Sequence, residues 1–303
     1  MSRPVLVYGA GALGSLLGAL LSRRTRVCLL ARPAHAGAIR AQGGVRLDGC
    51  APGLYPVEAV SEMGELPASA LVLVTVKAFD LQAALGQLAP GLDSSHLVVV
   101  LQNGLGIRSL AETTLGREVV RAVTFMAAEV VEPGRVTFSA AGKTYFPTNG
   151  ELMKLWQEAH MPAEQVGDIT TYVWRKLAIN AAINPLSALL GVANGELVTL
   201  GATTRALVEE LVEVARREGQ TLEVGATHDK VLASMRQTAR NHSSMLQDVR
   251  AGRQTEIDWI NGAVVRLATA HGLDAPRHRL LVELVHFLEQ RGVPRPLSRR
   301  VAV

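Results

Sequence analysis

The stretch of this sequence best suited to chemistry is Trp174-Arg175-Lys176-Leu177-Ala178-Ile179-Asn180-Ala181-Ala182-Ile183-Asn184. Lys176, Asn180 and Asn184 recur every four residues, so in a helix they stack along one face. The other positions from 177 to 183 are all apolar. Asparagine is a poor helix former, so a simple solvated face does not explain this stripe. One explanation is a buried network satisfying neighbouring backbone. A binding cleft explains it better, because an ammonium and two amides suit a ligand carrying a carbonyl, a hydroxyl and a carboxylate.

A second constellation opens the chain: Val5-Leu6-Val7-Tyr8-Gly9-Ala10-Gly11-Ala12-Leu13-Gly14, read as strand, glycine turn and helix. Gly9 makes the tight turn, Gly11 admits a pyrophosphate against the backbone, and Gly14 lets the helix pack on the strand. A glycine turn of no consequence is the plain alternative, and the strand–turn–helix context argues against it. The second apolar run ends Leu29-Leu30-Ala31-Arg32, with no acid before Asp48. An NAD site usually places an acid there for the ribose. Arg32 stands where a cation would meet a 2′-phosphate, so NADP is the expected nucleotide, although a surface arginine is the plain reading.

Two further runs end in Lys77 and in Gln102-Asn103-Gly104. In an open α/β sheet the ligand lies beyond the carboxyl ends of the strands, which points Lys77 and Asn103 toward it. Each is equally readable as an ordinary loop residue. A last cluster runs from Asn241-His242-Ser243-Ser244 to Glu256. The two serines interrupt a helical pattern, and Glu256 opens the next helix, where an acid serves as well for the helix dipole as for function.

These residues need elements to hold them. Continuous apolar runs at 5–8, 27–30, 71–76 and 97–101 lack the alternation of half-exposed strands and suit a parallel sheet covered on both faces. Helical patterns at 15–24, 34–42 and 81–88 lie between them, which spells a doubly wound α/β sheet. Residues 119–124 and 135–139 read as further strands around the turn Glu132-Pro133-Gly134. From about residue 151 the texture turns helical, with patterns at 170–184, 204–218, 228–248 and 256–271, closed in turn by Pro185, Gly219 and Gly272. The expected organisation is a Rossmann domain over residues 1–166 and a helical substrate domain over 167–303.

Composition narrows the function. With 303 residues, 48% of them hydrophobic, the chain can bury a full core. Cys28 and Cys50 are too few for a disulfide framework and fit a reducing compartment. The first strand follows Met-Ser-Arg-Pro with no leader, and no apolar run reaches membrane-spanning length, so a cytoplasmic protein with no membrane partner is expected. The net charge is only +4, aromatics are 4%, and bases cluster only at Arg291, Arg295, Arg299 and Arg300. That disfavours nucleic acid as a partner and suits an anionic cofactor and substrate. No metal ligand set is assigned, and a monomer or homodimer is expected.

The ordered set GAGALG, VKAFD, QNG, WRKLAINAAINP, NGELV and NHSSMLQDVRAGRQTEIDWINGAV resembles the ketopantoate reductase (2-dehydropantoate 2-reductase) family along nearly the whole chain. The resemblance implies a Rossmann domain joined to a helical domain similar to that of 6-phosphogluconate dehydrogenase, with the active site in the cleft between them. It implies NADPH-dependent reduction of 2-dehydropantoate to (R)-pantoate in the pantothenate and coenzyme A pathway. Carried over by motif, Gly9, Ala10, Gly11, Ala12, Leu13 and Gly14 hold the pyrophosphate and Arg32 the 2′-phosphate. Lys77, Asn103 and Ala128 line the nicotinamide end, and Glu256 contacts the cofactor ribose. Lys176 is the general acid, and Asn180, Asn184, Asn194 and Ser244 bind the 2-oxo acid, with Asn103 and Lys176 also facing it. Two local departures stand out. Lys143-Thr144-Tyr145-Phe146-Pro147 replaces an Ile-Gly pair, and Ala159-His160-Met161 occurs where an Ala-Gly pair is common.

Overall fold

The computed structural model describes residues 3–291, so Arg295, Arg299 and Arg300 lie outside the described residues. The first part of the chain runs β1 (Val5–Tyr8), α1 (Ala12–Leu21), β2 (Val27–Leu30), α2 (Pro33–Gln42), β3 (Val45–Gly49), β4 (Gly53–Tyr55), β5 (Glu58–Val60), β6 (Leu71–Val74), α3 (Leu81–Leu88), β7 (Leu97–Val100) and α4 (Ile107–Leu115). Five strands and a helix follow: β8 (Val120–Arg121), β9 (Val123–Thr124), β10 (Ala127–Glu132), β11 (Arg135–Ala140), β12 (Thr144–Pro147) and α5 (Gly150–Glu158). β13 (Ala163–Val166) then leads into the helices α6 (Ile169–Leu190), α7 (Gly201–Arg217), α8 (Val224–Gln237), α9 (Ser244–Arg250), α10 (Asn261–Ala270) and α11 (Pro276–Arg291).

The apolar runs form a six-stranded, all-parallel sheet in the order β5-β2-β1-β6-β7-β8. Every residue of β1 and β6 is buried, which is why these runs show no polar alternation. The strand order reverses between β1 and β6, the switch point at which open α/β sheets bind their ligands. Two smaller sheets, β10-β11-β3-β4 and β13-β12-β9, complete this part. Residues 119–124, read as one strand, are two. β8 pairs with β7 in the large sheet and β9 with β12 in the small one. The buried Arg121 guanidinium stabilises the corner by donating to the carbonyls of Val100, Gln102 and Ala122. At Ala159-His160, His160 adopts a left-handed φ of 57°.

Three helical expectations are corrected. Pro185 does not close a helix but lies inside α6. Proline has no N–H for the carbonyl of Ala181 four residues earlier, and the buried Asn261 side chain donates to that carbonyl instead, at 3.0 Å. The pattern at 228–248 is two helices, α8 and α9, because Ser243 caps a fresh start by accepting from Leu246 N–H at 3.1 Å. The pattern at 256–271 resolves into a 3₁₀ turn, Ile257–Trp259, followed by α10. Gly219 and Gly272 do end their helices, at left-handed φ values of 74° and 66°.

The contacts divide the chain into two compact units, Met1–Lys176 and Leu177–Val303. The division falls inside α6, whereas the change of texture in the sequence falls at 166/167, just before the helix begins. The first turns of α6 belong to the first unit because Ile169 and Val166 pack with Val123, and the Tyr172 ring stacks on Tyr145 with centroids 4.1 Å apart. Asp168 caps this end, accepting from Thr170 N–H at 2.8 Å. The regular elements among the second unit's described residues are all helices or 3₁₀ turns, joined by short loops. No single helix among the described residues is long and apolar enough to cross a membrane.

Candidate active site

The glycine turn sits at the switch point of the large sheet. Gly9 has φ +94°, and a Cβ there would lie 2.5 Å from Val76 Cγ1 and 2.6 Å from Val76 N. At Gly14 a Cβ would lie 2.5 Å from Thr75 Oγ1. Both positions require glycine, which lets the turn press against the end of β6. Gly11 is different, because a Cβ there would meet nothing within 4 Å. Its open face is the one a ligand can approach. Gly9 N–H and Ala10 N–H both donate to Leu30 O, at 3.1 and 2.9 Å, which ties the turn to β2. α1 starts at Ala12 with no capping side chain, so the first-turn N–H groups of Ala12, Leu13 and Gly14 and the helix dipole are oriented for an anion. A dinucleotide pyrophosphate fits this cradle.

A histidine relay holds the turn from behind. Gly134 N–H donates to His35 Nδ1 at 3.0 Å, which puts the His35 proton on Nε2, 2.9 Å from Ser15 Oγ. Ser15 Oγ in turn donates to Ala10 O at 3.3 Å. Burial pushes His35 below its ordinary pKa, and it does the same to the fully buried His278 in the second unit. Each fold therefore favours the neutral imidazole. That contribution is present above the ordinary histidine value of about 6.5 and is lost as pH falls below it. The melting temperature is expected to drop between about pH 7 and pH 5, and less steeply in His35→Gln. Calorimetry at the two pH values checks this, and a flat or rising profile contradicts it.

Around the same sheet ends stand the other first-unit candidates. Arg32 is the exposed N-cap residue of α2, two positions after the Leu30 carbonyl that holds the turn. Asp48, the first acid after β2, is occupied by Arg135 at 2.6 Å. Lys77 follows β6 and Asn103 follows β7, both half-buried, so the ends of β1, β2, β6 and β7 gather Gly9, Arg32, Lys77 and Asn103 on one edge. Ala128 is placed elsewhere, in β10 at a bulge of the second sheet, with β10 packed on α1.

Lys176 is the last residue of the first unit and is tied to β9 within it. Its Nζ donates to Thr124 O at 2.6 Å and lies 5.9 Å from the Phe125 ring centre. Thr124 itself is held by β12, with which β9 pairs and whose Thr144 Oγ1 donates to Thr124 Oγ1 at 2.9 Å. A main-chain acceptor leaves no side-chain signal, so this anchor could not be read in the sequence. In the second unit, Asn184, Asn194 and Ser244 are drawn together by residues 238–243. Ser243 Oγ donates to Asn184 O at 3.4 Å and caps α9, whose first residue is Ser244. Asn194 N–H donates to Asn241 O at 2.9 Å, and Asn194 Nδ2 to Thr238 Oγ1 at 3.0 Å. Thr238 Oγ1 itself donates to Ser234 O at 2.7 Å, which fixes the orientation of the Asn194 amide. Asn194 Oδ1 is then buried with no hydrogen-bond partner among the described residues. Such an acceptor costs about 1–3 kcal/mol unless a donor reaches it. Asn180 is half-buried one turn before Asn184, and Glu256 is buried at the start of the 3₁₀ turn. The described residues contain no group of three or more His, Cys, Asp or Glu that could hold a metal ion.

Comparison with known proteins identifies the family. The family described as "Ketopantoate reductase PanE/ApbA" matches residues 5–151, and "Ketopantoate reductase PanE/ApbA C terminal" matches 168–289. A 2-dehydropantoate 2-reductase from Archaeoglobus fulgidus is 35% identical over 297 residues, covering 94% of this chain and 97% of the relative. One from Vibrio cholerae is 33% identical, covering 94% and 98%. Among solved structures, a PanE/ApbA family ketopantoate reductase from Ralstonia eutropha JMP134 is 34% identical, with TM-score 0.85 over 95% of this chain and 99% of that one. D-mandelate dehydrogenase with NADH and anilino(oxo)acetate is 25% identical, with TM-score 0.89 over the same shares. With both halves matched and such relatives spanning nearly its full length, this chain belongs to the ketopantoate reductase family.

Proposed function

We propose that the chain is an NADPH-dependent 2-dehydropantoate 2-reductase, forming (R)-pantoate for the pantothenate and coenzyme A pathway. The observation that carries this reading is the polar face of α6, which joins one ammonium, Lys176, to the amides of Asn180 and Asn184 on a helix that is otherwise apolar there. The names of the relatives supply the substrate, and the glycine cradle supplies a seat for the dinucleotide.

Gly9 to Gly14 would hold the pyrophosphate and Arg32 the 2′-phosphate, with Lys77 and Asn103 toward the nicotinamide and Glu256 toward the ribose. When bound, the dinucleotide supplies the hydride that reduces the ketone carbon. Lys176 gives a proton to the ketone oxygen as negative charge grows on it, and its ammonium field stabilises that charge. Asn180 and Asn184 orient the substrate by hydrogen bonds, and Ser244 receives its carboxylate. Asn194 Oδ1, buried without a partner, accepts from a substrate hydroxyl.

Because Asn180 is assigned to substrate alone, Asn180→Ala is expected to raise KM for the 2-oxo acid about tenfold or more while the Kd for NADPH stays within about twofold. Fluorescence titration of NADPH checks this, and a parallel loss of nucleotide affinity removes Asn180 from that role.

A second reading, reduction of another 2-oxo acid, has the D-mandelate dehydrogenase likeness in its favour. A third, a nucleotide-binding regulator without turnover, has nothing in its favour, since Lys176 and Asn180 are both present. NADPH oxidation with ketopantoate, pyruvate, 2-oxoisovalerate and phenylglyoxylate separates these readings. The proposal expects kcat/KM for ketopantoate to exceed each of the others by at least about tenfold, or 1.4 kcal/mol. Preference for phenylglyoxylate would support the second reading instead.

A further inference from the structure

Pro185 interrupts the hydrogen-bond ladder of α6 within the segment that carries Asn180 and Asn184. A proline in a helix interior removes one bond and crowds the preceding turn, so it usually kinks or ends the helix. Here α6 continues to Leu190. The carbonyl orphaned by the missing N–H belongs to Ala181, between the two asparagines, and the Asn261 side chain fills the gap. Asn261 is fully buried as the first residue of α10, and its Nδ2 lies 3.0 Å from Ala181 O.

The amide orientation follows from chemistry. Ala181 O can only accept, so the atom facing it is Nδ2 and not Oδ1. The second Nδ2 hydrogen points to His278 Nδ1 at 3.0 Å, and His278 Nε2 lies 3.0 Å from Leu207 O. His278 must then carry its single proton on Nε2 and donate it to Leu207 O. Only one tautomer and one amide orientation satisfy the set, and they leave Asn261 Oδ1 buried without a partner. Keeping an unsatisfied acceptor in the core is costly, which fits a side chain retained for its donors. On the same helix, Ser243 Oγ donates to Asn184 O at 3.4 Å.

We infer that Asn261 is a positioning residue for the substrate face of α6: it substitutes for the N–H that Pro185 lacks and so holds Asn180 and Asn184 at the spacing the substrate requires. This rests on the assignment of Asn180 and Asn184 to substrate proposed above. Asn261 touches no reacting atom and acts only through the helix.

The test is a double-mutant cycle between Asn261→Leu and Pro185→Ala, because alanine at 185 restores the main-chain donor to Ala181 O. Asn261→Leu is expected to raise KM for ketopantoate by about ten- to a hundredfold, as small misplacements do. Its kcat and its Kd for NADPH should stay within about threefold of wild type. Hydrogen exchange of the amides at 186–190 should accelerate. Adding Pro185→Ala should return KM to within about threefold of wild type and restore exchange protection. The melting temperature should remain lowered, because His278 Nδ1 still lacks its donor. That split separates positioning from general stability. Unchanged KM in folded Asn261→Leu, or no recovery on adding Pro185→Ala, overturns the inference.

If Asn261→Leu alone does not fold, the wild type decides. Its Asn261 side-chain amide hydrogens should exchange at least about a thousandfold more slowly than a free amide, and exchange at the free rate overturns the inference. If the wild type reduces no 2-oxo acid, the functional assignment fails by itself, and the exchange measurements still judge the Asn261–Ala181 bond.

Discussion

Replacing Lys176 by alanine is expected to lower kcat by about a hundredfold to ten-thousandfold at saturating substrate, while the protein stays folded and keeps its affinity for NADPH. The alkoxide formed by hydride addition is strongly basic and requires a proton as it forms. Lys176 is the ionisable member of the α6 polar stripe, whose other members are neutral amides. Loss of the ammonium field adds to loss of the proton. The fold should tolerate the change, because the Nζ bond given up is to a main-chain carbonyl, Thr124 O, and the aromatic packing of Tyr145 with Tyr172 remains. Lys176→Arg should rescue only partly, since guanidinium keeps the charge but releases a proton far less readily. Rapid-mix kinetics of NADPH oxidation checks the series. Retention of more than about a tenth of wild-type turnover, a loss under about 1.4 kcal/mol, moves the acid elsewhere, with Lys77 the first candidate.

Arg32→Ala should remove the preference for NADPH over NADH. The residue follows β2 and caps α2 beside the turn that Leu30 O holds, and the nearest following acid, Asp48, is engaged by Arg135. A charge-assisted bond to a 2′-phosphate contributes about 1–3 kcal/mol, roughly five- to 150-fold in affinity. The exposure of Arg32 puts the expected value in the lower half of that range. The Kd for NADPH should rise while that for NADH stays unchanged, and titration of both nucleotides measures it. Equal use of the two nucleotides by the wild type removes the role from Arg32.

The parallel sheet and its ligand edge were legible because burial on both faces writes itself as unbroken runs such as Val5–Tyr8 and Val27–Leu30. Gly9 and Gly14 were legible for a related reason, since a close backbone approach admits no other residue. The errors arose where a distant side chain overrides a local signal. Pro185 reads as a stop, yet it lies inside α6, where the side chain of Asn261, 76 positions later by number, donates to the carbonyl that proline leaves without an N–H. Residues 119–124 read as one strand because Val119, Val120, Val123 and Thr124 are β-formers with no turn residue between them, while the change of sheet at Ala122 goes with tertiary contacts of Arg121. The tie from Lys176 to Thr124 O and the relay from His35 through Ser15 to Ala10 join segments by main-chain acceptors, which leave no pattern along the chain.

A single-turnover experiment tests the central claim most directly. The protein is saturated with NADPH, mixed with ketopantoate, and followed both by nicotinamide absorbance and by chiral analysis of the quenched product. The account predicts one equivalent of (R)-pantoate for each NADPH consumed. NADPH that binds but remains unoxidised in the presence of ketopantoate contradicts it.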